Sequence, residues 1–133
     1  MDIFPKIFAA GQEDADQLLW LRARYNKKSI GALAQIYNSC IDILRPVIEE
    51  DADNDVFKRN GRYMSDSTVQ AFLQWLVATN QVIDYINDDT RRIADRLYSE
   101  WQRAGEPEFG LVLGYVNEDG DLPDYLEDEL SGR

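Results

Sequence analysis

The chain has 133 residues, of which 44% are apolar, 11% aromatic and 29% charged, the size and make-up of one folded domain rather than a disordered chain. It carries 25 acidic against 14 basic residues, a net charge of −11 that repels nucleic acid and anionic membranes at long range and favours basic partners. It has no histidine, which excludes His-dependent triads and zincin-type sites, and its single cysteine, Cys40, excludes an intrachain disulfide.

Residues 2–10 place Ile3, Phe4, Ile7 and Phe8 around Pro5 and read as a docking arm or a short strand, with Pro5 unsuited to a central strand. The opening MDIFPKIFAAGQED lacks a basic n-region and a long apolar h-region, so no secretory signal is expected. No apolar run approaches the ~18 residues of a membrane span, so the expectation is a soluble, cytoplasmic protein. A first helix is expected from Gly11 to Tyr25. Glu13, Asp14 and Asp16 suit its N-terminal dipole, Arg22 and Arg24 suit its end, and Ala15, Leu18, Leu19 and Tyr25 form a partial apolar stripe. Ser29 is a candidate N-cap for a second helix. From Ile30 its apolar positions are Leu33, Ile36, Tyr37, Cys40, Ile41, Leu44, Val47 and Ile48, spaced three and four apart. Pro46 lies inside it and predicts a kink or restart near Ile43–Arg45.

Glu49 to Asp55 reads as an acidic loop or frayed helix end, and Asn60-Gly61 as a turn. Ser65 or Asp66 caps a third helix with Val69, Phe72, Leu73, Leu76, Val77, Ile83 and Ile86 on its buried face, Trp75 off the stripe and Asn80 on or near it. After Asn87-Asp88-Asp89, with Asp88 or Asp89 as cap, a fourth helix is expected from Thr90 to Ala104 on Ile93, Leu97 and Trp101. Gly105 stops it and Pro107 follows.

The last 29 residues differ. They hold nine acids and one base, a net charge of −8 that leaves only −3 on the other 104 residues. Residues 111–116 fit a strand or a short helix, and Asn117 to Asp121 a turn. Pro123 is placed to open a terminal helix through Leu130, with Leu122, Leu126 and Leu130 four apart. That spacing predicts a docked acidic module rather than a loose tail. The expected fold is mainly α: a compact four- to five-helix bundle with an acidic C-terminal appendage and at most a small β element. It forms a single domain over 1–133, with a helical core at 1–104 and the module at 105–133.

Candidate chemistry is sparse. Asp51, Asp53 and Asp55 alternate like the start of a calcium loop, but Val56 and Arg62 stand where that loop needs glycine and glutamate. Aligning Gly120 with the loop's sixth position puts Tyr115 first and Leu126 twelfth, neither a suitable ligand. Asp84 and Asp88 form a possible carboxylate pair one turn apart, with no nucleophile beside it. Cys40 reads as a small core residue. The basic clusters Arg22, Arg24, Lys27 and Lys28, around Tyr25, and Arg91, Arg92 and Arg96 read as helix-end charges and internal ion pairs. No enzyme activity, metal or cofactor is expected.

The chain resembles no family by motif. Its composition is similar to that of small acidic inhibitors such as phage anti-defence proteins and toxin-immunity proteins. Duplex DNA carries about one charge per 1.7 Å of axis, and nine clustered carboxylates approach that density locally. The function expected is therefore a non-enzymatic inhibitor of the anti-CRISPR or DNA-mimic kind. It would bind a basic, nucleic-acid-binding surface of another protein or nucleoprotein complex, without touching nucleic acid or membrane itself. Asp119, Asp121, Asp124, Glu127 and Asp128 would carry the charge, with Tyr115 and Tyr125 as anchors. The alternatives are an immunity protein or antitoxin that neutralises a basic toxin, and a structural or adaptor subunit using Trp75, Trp101 and residues 111–116. Oligomeric state is left open.

Overall fold

Amphipathic spacing of three and four dominates the sequence, and helices result. The computed structural model describes residues 3–57, 64–108 and 110–131. Within them run α1 (Ile3–Ala10), α2 (Asp14–Arg22), α3 (Lys27–Asp53), α4 (Asp66–Ala78), α5 (Val82–Ile86), α6 (Arg92–Arg103), a 3-10 turn (Val112–Tyr115) and α7 (Asp124–Ser131). The fold is mainly α, and no strand occurs among the described residues. The Asn60-Gly61 turn, Arg62 and Phe109 lie outside them, as does the side chain of Leu130.

Residues 3–10 are a helix, not an arm or strand. Phe4 and Ile7, one turn apart, are buried, and Pro5 falls in the first turn, where its missing N–H removes no helical hydrogen bond. In α2 the buried stripe is Ala15, Gln17, Leu18 and Leu21, while Leu19 and Tyr25 face solvent, contrary to expectation. Helix α3 begins earlier than expected because Asn26, not Ser29, caps it: the Asn26 side chain accepts the Ser29 N–H at 2.8 Å. It continues through Pro46 to Asp53, so of the two expectations for Glu49 to Asp55, a loop or a helix end, the helix end holds, with Asn54 as C-cap. Pro46 lies on the exposed face, so the carbonyl it leaves unpaired is on the solvent side of the helix.

The expected third helix divides into α4 and α5. Thr79 Oγ1 donates to the Trp75 carbonyl at 2.7 Å, and Asn80 turns to a φ of +59°, a conformation asparagine tolerates better than most residues. The change of direction buries Tyr85 and leaves Ile83 exposed instead. Ser65 caps α4 by accepting the Thr68 N–H at 3.2 Å. Gly105, at φ +94°, ends α6 in a left-handed turn that returns the Glu106 N–H to the Trp101 carbonyl at 3.1 Å.

Phe72 sits at the centre of the core, with the rings of Phe57, Trp75, Tyr85, Tyr98 and Trp101 at centroid distances of 5.2–6.2 Å. Such pairs add about 0.5–1.5 kcal/mol each beyond area burial. One buried ionic cluster ties three helices together. The Tyr85 hydroxyl donates to Asp51 Oδ2 at 2.6 Å, and Arg91 Nε donates to Asp51 Oδ1 at 3.0 Å. Arg91 Nη1 also reaches the carbonyls of Tyr85 (3.0 Å) and Asp88 (2.7 Å). Burial and the bond to Asp51 push the Tyr85 phenol well above its ordinary range. Asp88, also buried, caps α6: its Oδ2 accepts the N–H groups of Ile93 (2.7 Å) and Ala94 (3.0 Å), and its Oδ1 the Thr90 hydroxyl (2.9 Å).

Candidate partner-binding site

The acidic module is built onto α2 and α3 from three kinds of contact. The first is an amide clamp. Gln17 is fully buried on α2 and accepts the Val112 N–H at 2.7 Å. Its Nε2 donates to the carbonyls of Gly11 (2.9 Å) and Gly110 (3.1 Å). One side chain thus satisfies three backbone groups from two distant segments, which offsets the cost of burying an amide. Around it Leu111, Val112, Leu113 and Val116 are buried, and the 111–116 run is a 3-10 turn with extended flanks.

The second contact is backbone on backbone. Asn117 Oδ1 accepts the N–H groups of Asp119 (3.0 Å) and Asp121 (2.9 Å), while its own N–H donates to the Asp121 carbonyl at 2.9 Å. This tight turn rests on the first turns of α3. A Cβ on Gly31 would lie 2.2 Å from the Glu118 carbonyl oxygen, and one on Gly120 would lie 2.1 Å from that of Lys27. Gly120 also holds a φ of +86°. Glycine is required on both sides for this approach. Beyond it Leu122 and Leu126 bury themselves, seating α7.

The third contact is ionic. Lys27 pairs with Asp121, and Arg22 pairs with Glu127 at 2.9 Å. Gln35 donates to Glu118 Oε2 at 3.2 Å. The hydrogen bond and charge of Asp121 raise the pKa of the Lys27 ammonium. Between the two pairs lies a cleft of about 330 Å³ lined by Arg22, Tyr25, Lys27, Ile30, Gly120, Asp121 and Glu127.

The structure therefore divides the seven predicted residues. Tyr115 and Tyr125 are 50% and 62% exposed. Asp119, Asp124 and Asp128 are solvent-facing carboxylates that form no ion pair among the described residues. Asp121 and Glu127 are instead engaged by the chain's own bases, so the basic cluster around Tyr25 and the acidic module form one seam. The second basic cluster is also partly internal, through Arg91–Asp51 and an Arg96–Glu100 pair at 3.6 Å.

The other candidates take ordinary roles. Asp51 is held by Tyr85 and Arg91 while Asp53 and Asp55 face solvent. Among the described residues no group of three or more acidic or cysteine side chains is placed to hold a metal ion. Both oxygens of Asp88 cap α6, and Asp84 stands exposed on α5. Cys40 is half-buried, and burial pushes its thiol above the ordinary value, which opposes thiolate reactivity. The Tyr37 phenol is enclosed and pushed up to about 12 by burial. Trp101 is buried, its Nε1 donating to the Pro107 carbonyl at 3.2 Å, so it offers no adaptor surface.

The sequence reading misses Gln17 and Gly31. Gln17 does have a signal, an amide four residues before Leu21 inside the apolar stripe. Gly31 has another, a glycine within a helical pattern, which marks a close backbone approach. No family model matches the chain, and comparison with curated proteins and with solved structures likewise finds no match.

Proposed function

We propose that the protein is a non-enzymatic acidic inhibitor whose C-terminal module covers a basic, nucleic-acid-binding surface of another protein or nucleoprotein complex, in the manner of a DNA-mimic or anti-CRISPR protein. The observation that supports this reading is the docking of the module. The glycine contact between α3 and the 117–121 turn, with buried Leu122 and Leu126, fixes the backbone that carries Tyr115, Asp119, Asp124, Tyr125 and Asp128. Carboxylates in fixed positions can match a phosphate array, whereas a loose tail only attracts. Aromatic side chains among them supply contact area at low entropic cost.

Roles within the proposed face differ. Asp121 and Glu127 already have partners, so a basic surface must compete with Lys27 and Arg22 for them. The five other residues lead the contact. The test is capture from a host lysate on the immobilised full chain at low and high salt, with and without duplex DNA as competitor. The expected result is a nucleic-acid-binding machine that DNA displaces. Its retention should be lost when Asp119, Asp124 and Asp128 become Asn and Tyr115 and Tyr125 become Ala. Retention that survives salt, DNA and the five substitutions would overturn the reading. A single cognate toxin held through the same five residues would favour the immunity-protein alternative.

A further inference from the structure

Helix α3 has a second stripe that none of the other described residues covers. Its core face carries Ile30, Ala34, Tyr37, Leu44 and Ile48. On the opposite side, Ile36 and Ile43 are 38% and 54% exposed, although both are β-branched aliphatics in the middle of the longest helix. At 100° per residue, Lys28, Ala32, Ile36, Ser39, Ile43, Pro46 and Glu50 fall within an arc of about 80°. Small residues and isoleucines alternate along it, with a cation at one end and an anion at the other.

The charges on α3 run against its own dipole. Its first turn has no acid and carries Lys27 and Lys28; its last turn has no base, and Glu49, Glu50 and Asp53 crowd the C-terminal end. Each is unfavourable in an isolated helix. Lys28, Glu49 and Glu50 form no ion pair among the described residues. An antiparallel second copy of the same helix removes the conflict. Lys28 and Glu50 are each eleven residues from Ser39. A two-fold axis near Ser39 therefore brings each Lys28 to the other copy's Glu50, stacks Ile36 on Ile43, and opposes the two dipoles. The stripe is complementary to itself in one register, and a two-fold interface requires that self-complementarity.

We infer that the exposed face of α3 is a homodimer interface, with a second copy of this chain as its occupant, packed antiparallel about Ser39. The 117–121 turn contacts α3 through Lys27, Gly31 and Gln35, along the flank of the stripe rather than on it. The two modules then sit toward opposite ends of the helix pair, about 24 Å apart along its axis at a rise of 1.5 Å per residue.

The test is sedimentation equilibrium of the full chain at low salt. A dimer at high micromolar concentration is expected. Ile36→Glu with Ile43→Glu should give a monomer with unchanged helical circular dichroism. Lys28→Glu should weaken the dimer by about tenfold or more through like charges facing Glu50, and adding Glu50→Lys should restore it. A wild-type monomer under these conditions would overturn the inference. So would a dimer indifferent to the isoleucine substitutions, or charge swaps that fail to compensate. A monomer that binds a different protein through Ile36 and Ile43 would also overturn it.

Discussion

Two ionic clusters in this molecule use the same side-chain chemistry for opposite ends. In the buried cluster, Asp51 is met by Tyr85 and by the Arg91 guanidinium, which also bonds two carbonyls. In the exposed seam, Lys27–Asp121 and Arg22–Glu127 are single contacts between long, solvated side chains. Removing one partner from the first strands a desolvated charge. Removing one from the second returns a charge to water. Exposure therefore makes the buried cluster a fastener of α3, α5 and α6, and leaves the seam open to competition; under the proposed function it is a latch that a basic partner opens.

Asp51→Ala leaves the Arg91 guanidinium without its counter-charge and should destabilise the fold by about 3–5 kcal/mol, read by urea denaturation and nearly independent of salt. Gly31→Val comes next. Its branched side chain meets the Glu118 carbonyl, at about 1–3 kcal/mol of overpacking, and the strain should fall on the module rather than on α4 and α6. Amide exchange would show which region loosens.

Asp88→Ala removes the cap of α6 and should cost about 1–2 kcal/mol. Burial alone would raise the Asp88 pKa. The N–H groups of Ala94 and Ile93, the Thr90 hydroxyl and the Arg91 charge outweigh it and hold the carboxyl below its ordinary value of 3.8. A depressed carboxyl stabilises the fold fully above the ordinary value and loses that contribution as pH falls through the folded one. Asp88→Asn should therefore flatten the acid limb of the stability profile below pH 3.8. The smallest stability effect belongs to the seam. Arg22→Ala should change stability by about 0.2–1 kcal/mol at most. If the seam is a latch, the same substitution frees Glu127 and tightens binding to a basic partner at low salt. Equal or weaker binding would argue against competition at the seam.

Local signals carried much of the fold. Ser65, Asp88 and Gly105 act as the cap or stop that their residue types suggest, and Leu122 with Leu126 seats the terminal helix as their spacing implies. The short α1 escaped because eight residues around a proline give too few turns to show a period. The break at Asn80 escaped because hydrophobic spacing nearly continues across it. The Asp51 cluster and the seam were illegible for a different reason. Arg22 and Glu127 are 105 residues apart, and no periodic pattern records which distant charges will meet. What local reading did catch was the asymmetry of charge, and the structure converts that asymmetry into a docked module with five solvent-facing residues.

The acidic module is an ordered part of the fold, and native-state amide hydrogen exchange reads that order residue by residue. The Val112 N–H, held by Gln17, and the Asp121 N–H, held by Asn117, should exchange far more slowly than in a free chain, as should the buried Leu126. Protection there that collapses in Gly31→Val while α4 stays protected is the predicted result. Free-chain exchange from residue 111 to 126 in the wild type, with α4 and α6 protected, would contradict the account.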